Sequence, residues 1–548
     1  MENTPAAKPR AAATLILLRA GPSGLETLML QRTQSAAFLG GAYVFPGGSL
    51  DASDADVRRV LGLDEAQASQ RLGLQGGGIA YYVAAVRECF EEAGVLLACD
   101  ANGNAVLPAR AEELMRSRNS PFLPLLEKEN LYIPAGALAY YGHWITQPGR
   151  SRRFDTRFFV TLAPDGQEGA HDATETVHHV WINPREALDR ASRGEIELVH
   201  ATRQTLTDLG RFSEPRAAYE YAMSLTEIPT NRACWAQGKE GARVFRRGEP
   251  QYFEIHWSDP EETGQTSYDL VPGIPKRLDR YTTRLIAPNP GMMTGPGTNT
   301  YLLGDKDLAL IDPGPAIDSH IEKILAVEGK IRWILCTHTH LDHSPAAAAI
   351  KKATGAKIYG RPAPAGQDAT FVPDVTLEHG QQVRLGSFSL RALHTPGHAS
   401  NHLCYLLEQT RMLFTGDHVM QGSTVVINPP DGDMRAYLAS LQMLLNEDVA
   451  ILAPGHGYLI GEPHQELRRL LQHRLKREGK VRDALVKLGE PTLEEMLPLV
   501  YDDVPPRLHG WAARSLTAHL HKLVADGAAR ARDGRYTLVQ RSGPREAS

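Results

Sequence analysis

The run His338-Thr339-His340-Leu341-Asp342-His343 places four cation-binding side chains within six residues. It follows Trp333-Ile-Leu-Cys-Thr337, which reads as a buried strand. Ser344-Pro345 and an alanine-rich stretch come next and read as the start of a helix. A loop leaving a strand can aim alternate residues at one point. The imidazoles at 338 and 340 would therefore serve one ion, while Asp342 and His343 face a second. Three later segments add ligand types on tight turns: Thr395-Pro-Gly-His398, Phe414-Thr-Gly-Asp417 and Ala453-Pro-Gly-His456-Gly457. Histidine and carboxylate ligands of this kind suit zinc, and iron and manganese accept the same types. A water shared by two such cations loses its proton near neutral pH and can attack an ester, thioester or phosphodiester. Asp342 would additionally orient that water. Surface histidines in turns would account for one such loop but not for the ordered set.

A second constellation has different chemistry. In Arg87-Glu88-Cys-Phe-Glu91-Glu92-Ala-Gly94-Val95, the glutamates stand at i, i+3 and i+4 and share one helical face. Three carboxylates so crowded repel one another unless divalent cations sit among them. Hard oxygen ligands favour magnesium or manganese, here bridging a pyrophosphate. Glu88, Glu91 and Glu92 are the candidate ligands, with Glu91 and Glu92 also the candidate catalytic pair. Arg87 would hold the helix against its own loop.

The first set, in order and spacing, is strongly similar to the two-metal form of the metallo-β-lactamase superfamily. That resemblance implies His338, His340 and His398 on one zinc ion, Asp342, His343 and His456 on a second, and Asp417 bridging. It implies an αββα sandwich. Asp312, in Leu310-Ile-Asp-Pro-Gly314, matches a superfamily position usually behind the ligands and joins Asp342 as a candidate catalytic carboxylate. Asp417 and His456 lie 39 positions apart, too few for the large inserted domain of the cleavage-factor-type RNA nucleases. The segment Ala287–Tyr301 resembles the entry strand of the lactamase-like endoribonucleases of mitochondria. Beyond the last ligand, His473-Arg474, Arg477-Glu478, Trp511 to Gly527 and a terminal hairpin (Ala528–Val539, around Asp533-Gly534) resemble the small winged helix closing that group. The resemblance covers about Arg280 to Val539, and the group includes both single-strand RNA endonucleases and thioesterases acting on acyl carriers. The candidate recognition helix, Ala512–Ala525, carries only Arg514 and Lys522 with His519 and His521. So weakly basic a helix is as well explained as a packing lid as by RNA guidance.

The glutamate helix resembles the second half of a Nudix box, REUxEExGU, and Tyr43-Val-Phe-Pro-Gly-Gly48 resembles the usual FPGG strand-turn. Gly73 keeps the box's glycine position, but Ile79 replaces its early glutamate. Gly48 lies 39 positions before Arg87, which reads as an insertion. An interrupted box followed by a Phe90-Glu-Glu-Ala-Gly-Val-Leu-Leu97 run resembles the coenzyme-A-diphosphatase branch. The tract Glu175 to Leu188, with Trp181-Ile-Asn-Pro-Arg-Glu-Ala-Leu, matches a later strand of that α/β/α sandwich.

These sites need elements to position them. Strands are expected at Ala13–Leu18, Thr27–Arg32, Phe158–Leu162 and His179–Ile182, and Met1–Arg10 reads as loose. Residues 231–280 are rich in Gly, Pro and charge and read as a connection. The organisation is thus α/β and α+β multidomain: a Nudix domain over 8–230, the connection over 231–280, a metallo-β-lactamase-fold domain over 281–462 and a winged-helix-like domain over 463–540. A chain of 548 residues is too long for one core. The early apolar run Ala11–Leu18 is too short to span a bilayer and has no cleavage site. Five scattered cysteines without a CxxC pair argue for a reducing compartment, so a cytoplasmic protein without membrane attachment is expected. From His464 onward there are 16 Lys/Arg against 11 Asp/Glu, an asymmetry that a solvated helical surface also produces. Three functions fit. One is a bifunctional hydrolase acting on a thioester or ester and on a nucleoside-diphosphate-linked compound such as coenzyme A. Another is an endonuclease of single-stranded RNA with an accessory Nudix domain. The third is a zinc hydrolase regulated by a non-catalytic, nucleotide-sensing Nudix module. Oligomeric state is not legible.

Overall fold

The computed structural model describes residues 8–34, 40–118, 120–172 and 176–539. Most of the segment expected to be loose, and Glu175, lie outside these residues. The chain divides into two compact units, Met1–Cys234 and Trp235–Ser548.

In the first unit, alternation in the opening strand sets the layers. Arg10–Gly21 pairs in parallel with Phe154–Leu162 and antiparallel with Gly24–Arg32 and Gly47–Ser49. Leu15 and Leu17 point to one face of the sheet, where they pack with Tyr82, Val86 and Phe90 of the helix Gly78–Ala93. Ile16 and Leu18 point to the other, against Leu206 and Leu209 of His200–Leu209 and Ala218 and Ala222 of Pro215–Ser224. Helices on both faces of one mixed sheet make this an α/β/α sandwich. Between Gly48 and the glutamate helix lie a short turn, Ala52–Ala55, and the helix Glu65–Leu72. Glu65 reaches back to the next helix, accepting hydrogen bonds from Gly78 N at 2.9 Å and Ile79 N at 3.1 Å. These satisfy backbone donors of the first turn.

The second unit stacks two sheets. One has seven strands, from Lys276–Arg277 to Val375–Thr376; the other has five, from Gln382–Leu385 to Ile451–Pro454. Tyr301, Leu303 and Ile311 of the first meet Ala392, Tyr405 and Phe414 of the second. Side chains of opposite parity face outward: Leu302 and Leu310 pack on Ile324, Ala347 and Ile350, and Leu406 and Leu413 on Met434, Tyr437 and Leu441. Two sheets between helical layers give the αββα sandwich.

The expected connection is largely folded into this unit. It contains the helix Tyr252–Ser258, whose Glu254 is fully buried. Glu254 accepts from Arg284 at 2.6 and 2.8 Å, from Lys276 at 2.6 Å and from Leu459 N at 3.0 Å. These partners hold its carboxyl down at about 2, although burial alone would raise it.

After the second sheet, helices Pro463–Leu488, Leu493–Val500 and His509–Ala525 and the hairpin Ala529–Arg532/Arg535–Leu538 share a small core around Val481, Leu516 and Leu520. In this winged helix Lys522 binds Glu478 and Asp526, His519 is buried, and Arg514 lies over Trp511. Among the described residues, no helix is long and apolar enough to cross a membrane.

Candidate metal centre and glutamate helix

The ligand-type residues follow strand ends. His338 to His343 follow Lys330–Leu335, His398 follows Phe388–His394, Asp417 follows Met412–Gly416 and His456 follows Ile451–Pro454. Their candidate ligand atoms gather as two groups within cation-binding reach: His338, His340 and His398, and Asp342, His343, Asp417 and His456. Asp417 faces both groups. Its Oδ2 lies 3.8 Å from His398 Nε2, and its Oδ1 lies 3.3 Å from His456 Nε2 and 3.5 Å from His343 Nε2. Asp342 Oδ2 stands 3.4 Å from His456 Nε2 and 3.5 Å from His343 Nε2. A glycine makes this density possible: a Cβ on Gly455 would lie 2.7 Å from His343 Cε1 and 2.8 Å from Asp417 Oδ1.

Hydrogen bonds on the far side of three rings fix which nitrogen faces the cluster. His398 Nδ1 lies 2.9 Å from the Val426 carbonyl, His456 Nδ1 lies 3.2 Å from the Gly297 carbonyl, and His343 Nδ1 lies 2.9 Å from Asp312 Oδ2. These oxygens only accept, so Nδ1 carries the proton and Nε2 presents its lone pair to the cluster. Asp312 reaches the first group as well. Thr337 Oγ1 donates to Asp312 Oδ2 at 2.8 Å and lies 3.1 Å from His338 Nδ1, so its spent proton leaves it an acceptor for that ring. One buried carboxylate thus sets a histidine in each group and touches no other cluster side chain.

Among the described residues, His343 Nε2, His456 Nε2 and Asp417 Oδ1 are buried without a hydrogen-bond partner, and His340 Nδ1 meets both His338 Nε2 and His398 Nε2 at 2.9 and 3.0 Å. Burial and neighbouring imidazoles hold His338 well below its usual value, and burial and His398 take His340 to about 4. Burial opposes the charged form of His343 and His456, but the surrounding aspartates overcome it, lifting His343 well above normal and His456 to about 9. Carboxylates that draw protons onto crowded imidazoles mark a place for positive charge, and a divalent cation in each group would supply it in place of those protons.

Two neighbouring histidines had no signature in the sequence. His402 stacks on His338 with ring centroids 5.1 Å apart, and His418 is buried with neither ring nitrogen hydrogen-bonded. A histidine packed behind a ligand follows no motif spacing.

In the first unit, Arg87 binds both Asp54 oxygens at 2.8 and 2.9 Å and the Ser49 carbonyl at 3.1 Å, fixing the helix to its loop. Its Nη1 also reaches Glu88 at 2.9 Å and Glu91 at 3.0 Å, while Glu92 accepts from Gly47 N at 3.0 Å. The FPGG turn sits directly on the glutamates, since a Cβ on Gly48 would lie 2.5 Å from Glu88 Oε1. Burial lifts Glu88 to about 6 despite Arg87 beside it. Unlike the second unit's ligands, the three glutamates do not gather into one tight ligand group.

The metallo-beta-lactamase superfamily pattern matches residues 293–456. The Beta-lactamase-like protein 2 homolog of Drosophila melanogaster is 31% identical over 286 residues, covering 47% of this chain and 92% of that protein. The chain belongs to the metallo-β-lactamase superfamily. The lactamase-like protein aptB of Emericella nidulans is 30% identical, covering 47% of this chain and 86% of its own. The atrochrysone carboxyl ACP thioesterase of Aspergillus chevalieri is 32% identical, covering 45% and 82%. Residues 63–207 match the NUDT19 Nudix domain, and residues 492–535 match the beta-lactamase associated winged helix domain. This superfamily member is therefore a hydrolase with a Nudix domain and a winged helix.

Proposed function

We propose that the chain is a two-site hydrolase whose second unit cleaves a thioester or related acyl bond at a dinuclear zinc centre. Its Nudix half, with magnesium or manganese, would cleave a nucleoside-diphosphate-linked compound such as coenzyme A. The observation carrying the first half is the pair of ligand groups sharing Asp417 between them. His338, His340 and His398 would hold one ion, Asp342, His343 and His456 the other, with Asp417 bridging. When bound, such ions supply Lewis acidity at a scissile carbonyl and lower the pKa of an attacking water. The chain's own part is orientation. Asp312 and the Val426 and Gly297 carbonyls keep Nε2 lone pairs aimed inward, and the partly exposed Asp342 carboxylate is placed to orient the attacking water and receive its proton. The thioesterase among the relatives favours an acyl thioester over a phosphodiester. Within the candidate recognition helix, Lys522 is held by Glu478 and Asp526 and Arg514 lies over Trp511, which leaves that helix little free charge for RNA.

In the Nudix half, Glu88, Glu91 and Glu92 would hold the cation against a diphosphate, and Arg87 would keep them in place. The domain divisions proposed with this reading are 8–230 for the Nudix domain, 281–462 for the metallo-β-lactamase fold and 463–540 for the winged helix, with the expected connection, 231–280, folded largely into the second unit. Five scattered, buried cysteines support a reducing cytoplasmic setting. The test profiles the full chain against acyl thioesters, RNA and nucleoside diphosphate conjugates. Asp417→Ala is expected to lose only thioester cleavage, and Glu91→Gln with Glu92→Gln only pyrophosphate cleavage. RNA cleavage without thioester cleavage would overturn the reading of the second unit. Pyrophosphate cleavage unaffected by the glutamate changes would overturn that of the first.

A further inference from the structure

A cationic group that the glutamate chemistry does not use lies at the C-terminal end of the helix Gly78–Ala93. Arg118 donates from Nε to the Glu91 carbonyl at 2.7 Å and from Nη1 to the His171 carbonyl at 3.3 Å. The first bond neutralises a carbonyl at the negative end of the helix. The segment carrying His171 is fastened to the same helix end, with Ala170 N donating to Ala93 O at 2.7 Å. His171 Nδ1 then lies 3.0 Å from Nδ1 of His179 on the strand Thr176–Ile182. The adjacent His178 meets the hydroxyl of Tyr43, from the FPGG segment, at 3.2 Å.

Arg118 Nη2 is buried and has no hydrogen-bond partner among the described residues. Burying a guanidinium donor unpaired costs free energy that a bound acceptor would recover. Glu92 and Asp172 bear on Arg118 electrostatically, but neither accepts from Nη2. The facing imidazoles add a second donor: with two Nδ1 atoms at 3.0 Å one ring donates to the other, and the accepting ring carries its own proton on Nε2, where it can meet a ligand. A guanidinium with a free donor beside paired imidazoles is the chemistry that recognises phosphate oxygens.

We propose that Arg118, His171 and His179 form an anion site that takes a phosphate group of the substrate at the end of the glutamate helix. This rests on the reading of the first unit as a domain for nucleoside-diphosphate-linked compounds. It assigns the phosphate contact to residues outside the Nudix box.

The test is calorimetric binding of inorganic pyrophosphate to the full chain in magnesium, with unfolding temperature measured alongside. Arg118→Met should weaken binding by about tenfold or more, the worth of a charge-assisted hydrogen bond. His179→Asn and His171→Asn should weaken it by smaller factors, and they carry the test if Arg118→Met fails to fold. Lower unfolding temperature with unchanged pyrophosphate affinity would show that these residues only tie the loop to the helix and would overturn the anion site. So would absence of pyrophosphate binding by the wild-type chain. The underlying reading is separated by Glu91→Gln with Glu92→Gln. If nucleoside diphosphate cleavage survives those changes while Arg118→Met still weakens pyrophosphate binding, the Nudix assignment falls and the anion site stands.

Discussion

The histidine cluster of the second unit and the glutamate helix of the first both concentrate cation ligands, but they leave those ligands in opposite states. Around Asp417, polar contacts come from behind, through Asp312, Val426 and Gly297, and among the described residues His343 Nε2, His456 Nε2 and Asp417 Oδ1 have no hydrogen-bond partner. On the glutamate helix the carboxylates are already answered, Glu88 and Glu91 by Arg87 and Glu92 by Gly47 N. The first arrangement is preorganised for ions. The second is a paired network that a cation must enter in competition with a guanidinium. Tight transition-metal binding is expected of one, and weaker, substrate-assisted magnesium binding of the other.

The largest effect separating them should come from Asp417→Ala. It removes the one carboxylate facing both ligand groups and should abolish thioester hydrolysis with loss of bound metal, read by turnover and elemental analysis. Retained turnover would break the bridging assignment. Arg87→Met should act on the other region chiefly through the fold. It leaves Asp54 buried without its partner, so unfolding by denaturant should show a loss of about 3–5 kcal/mol. A loss near zero would mean that the network is not what holds the helix. Asp312→Ala should be milder than Asp417→Ala, lowering activity by about 10- to 100-fold, because it only orients His343 and His338. Equal damage with metal content intact would place Asp312 in the chemistry itself.

The smallest expected effect concerns Glu88, raised by burial to about 6. A carboxyl whose folded value exceeds its unfolded value of about 4.5 stabilises the cation-free fold below that pH. That contribution, of order 2 kcal/mol, is lost as pH rises through about 6. Magnesium should therefore raise the unfolding temperature more at about pH 7.5, where Glu88 is charged, than at about pH 5. Glu88→Gln should erase the difference. A magnesium shift independent of pH would separate Glu88 from the cation.

What was legible in the sequence was what local pattern records. The strand before His338 and the turns at His398, Asp417 and His456 are contiguous motifs. So is the glutamate spacing, and hence the two sandwich folds could be read with them. Contacts made across long stretches of chain left no such trace. Glu254 lies in a segment of loop-like composition, yet it is clamped by Arg284 and by Leu459 N, 205 positions away. The partner of Arg87 proved to be Asp54 in the inserted stretch, and Glu65 caps the helix from the same stretch. Buried polar groups of this kind are chosen by tertiary geometry, which no periodicity encodes.

The most direct test of the account is zinc titration into the chelator-stripped full chain while hydrolysis of an acyl thioester is followed. Seven ligands in two groups predict activity that saturates at about two ions per chain. Saturation at one ion, or thioester cleavage that needs none, would contradict it.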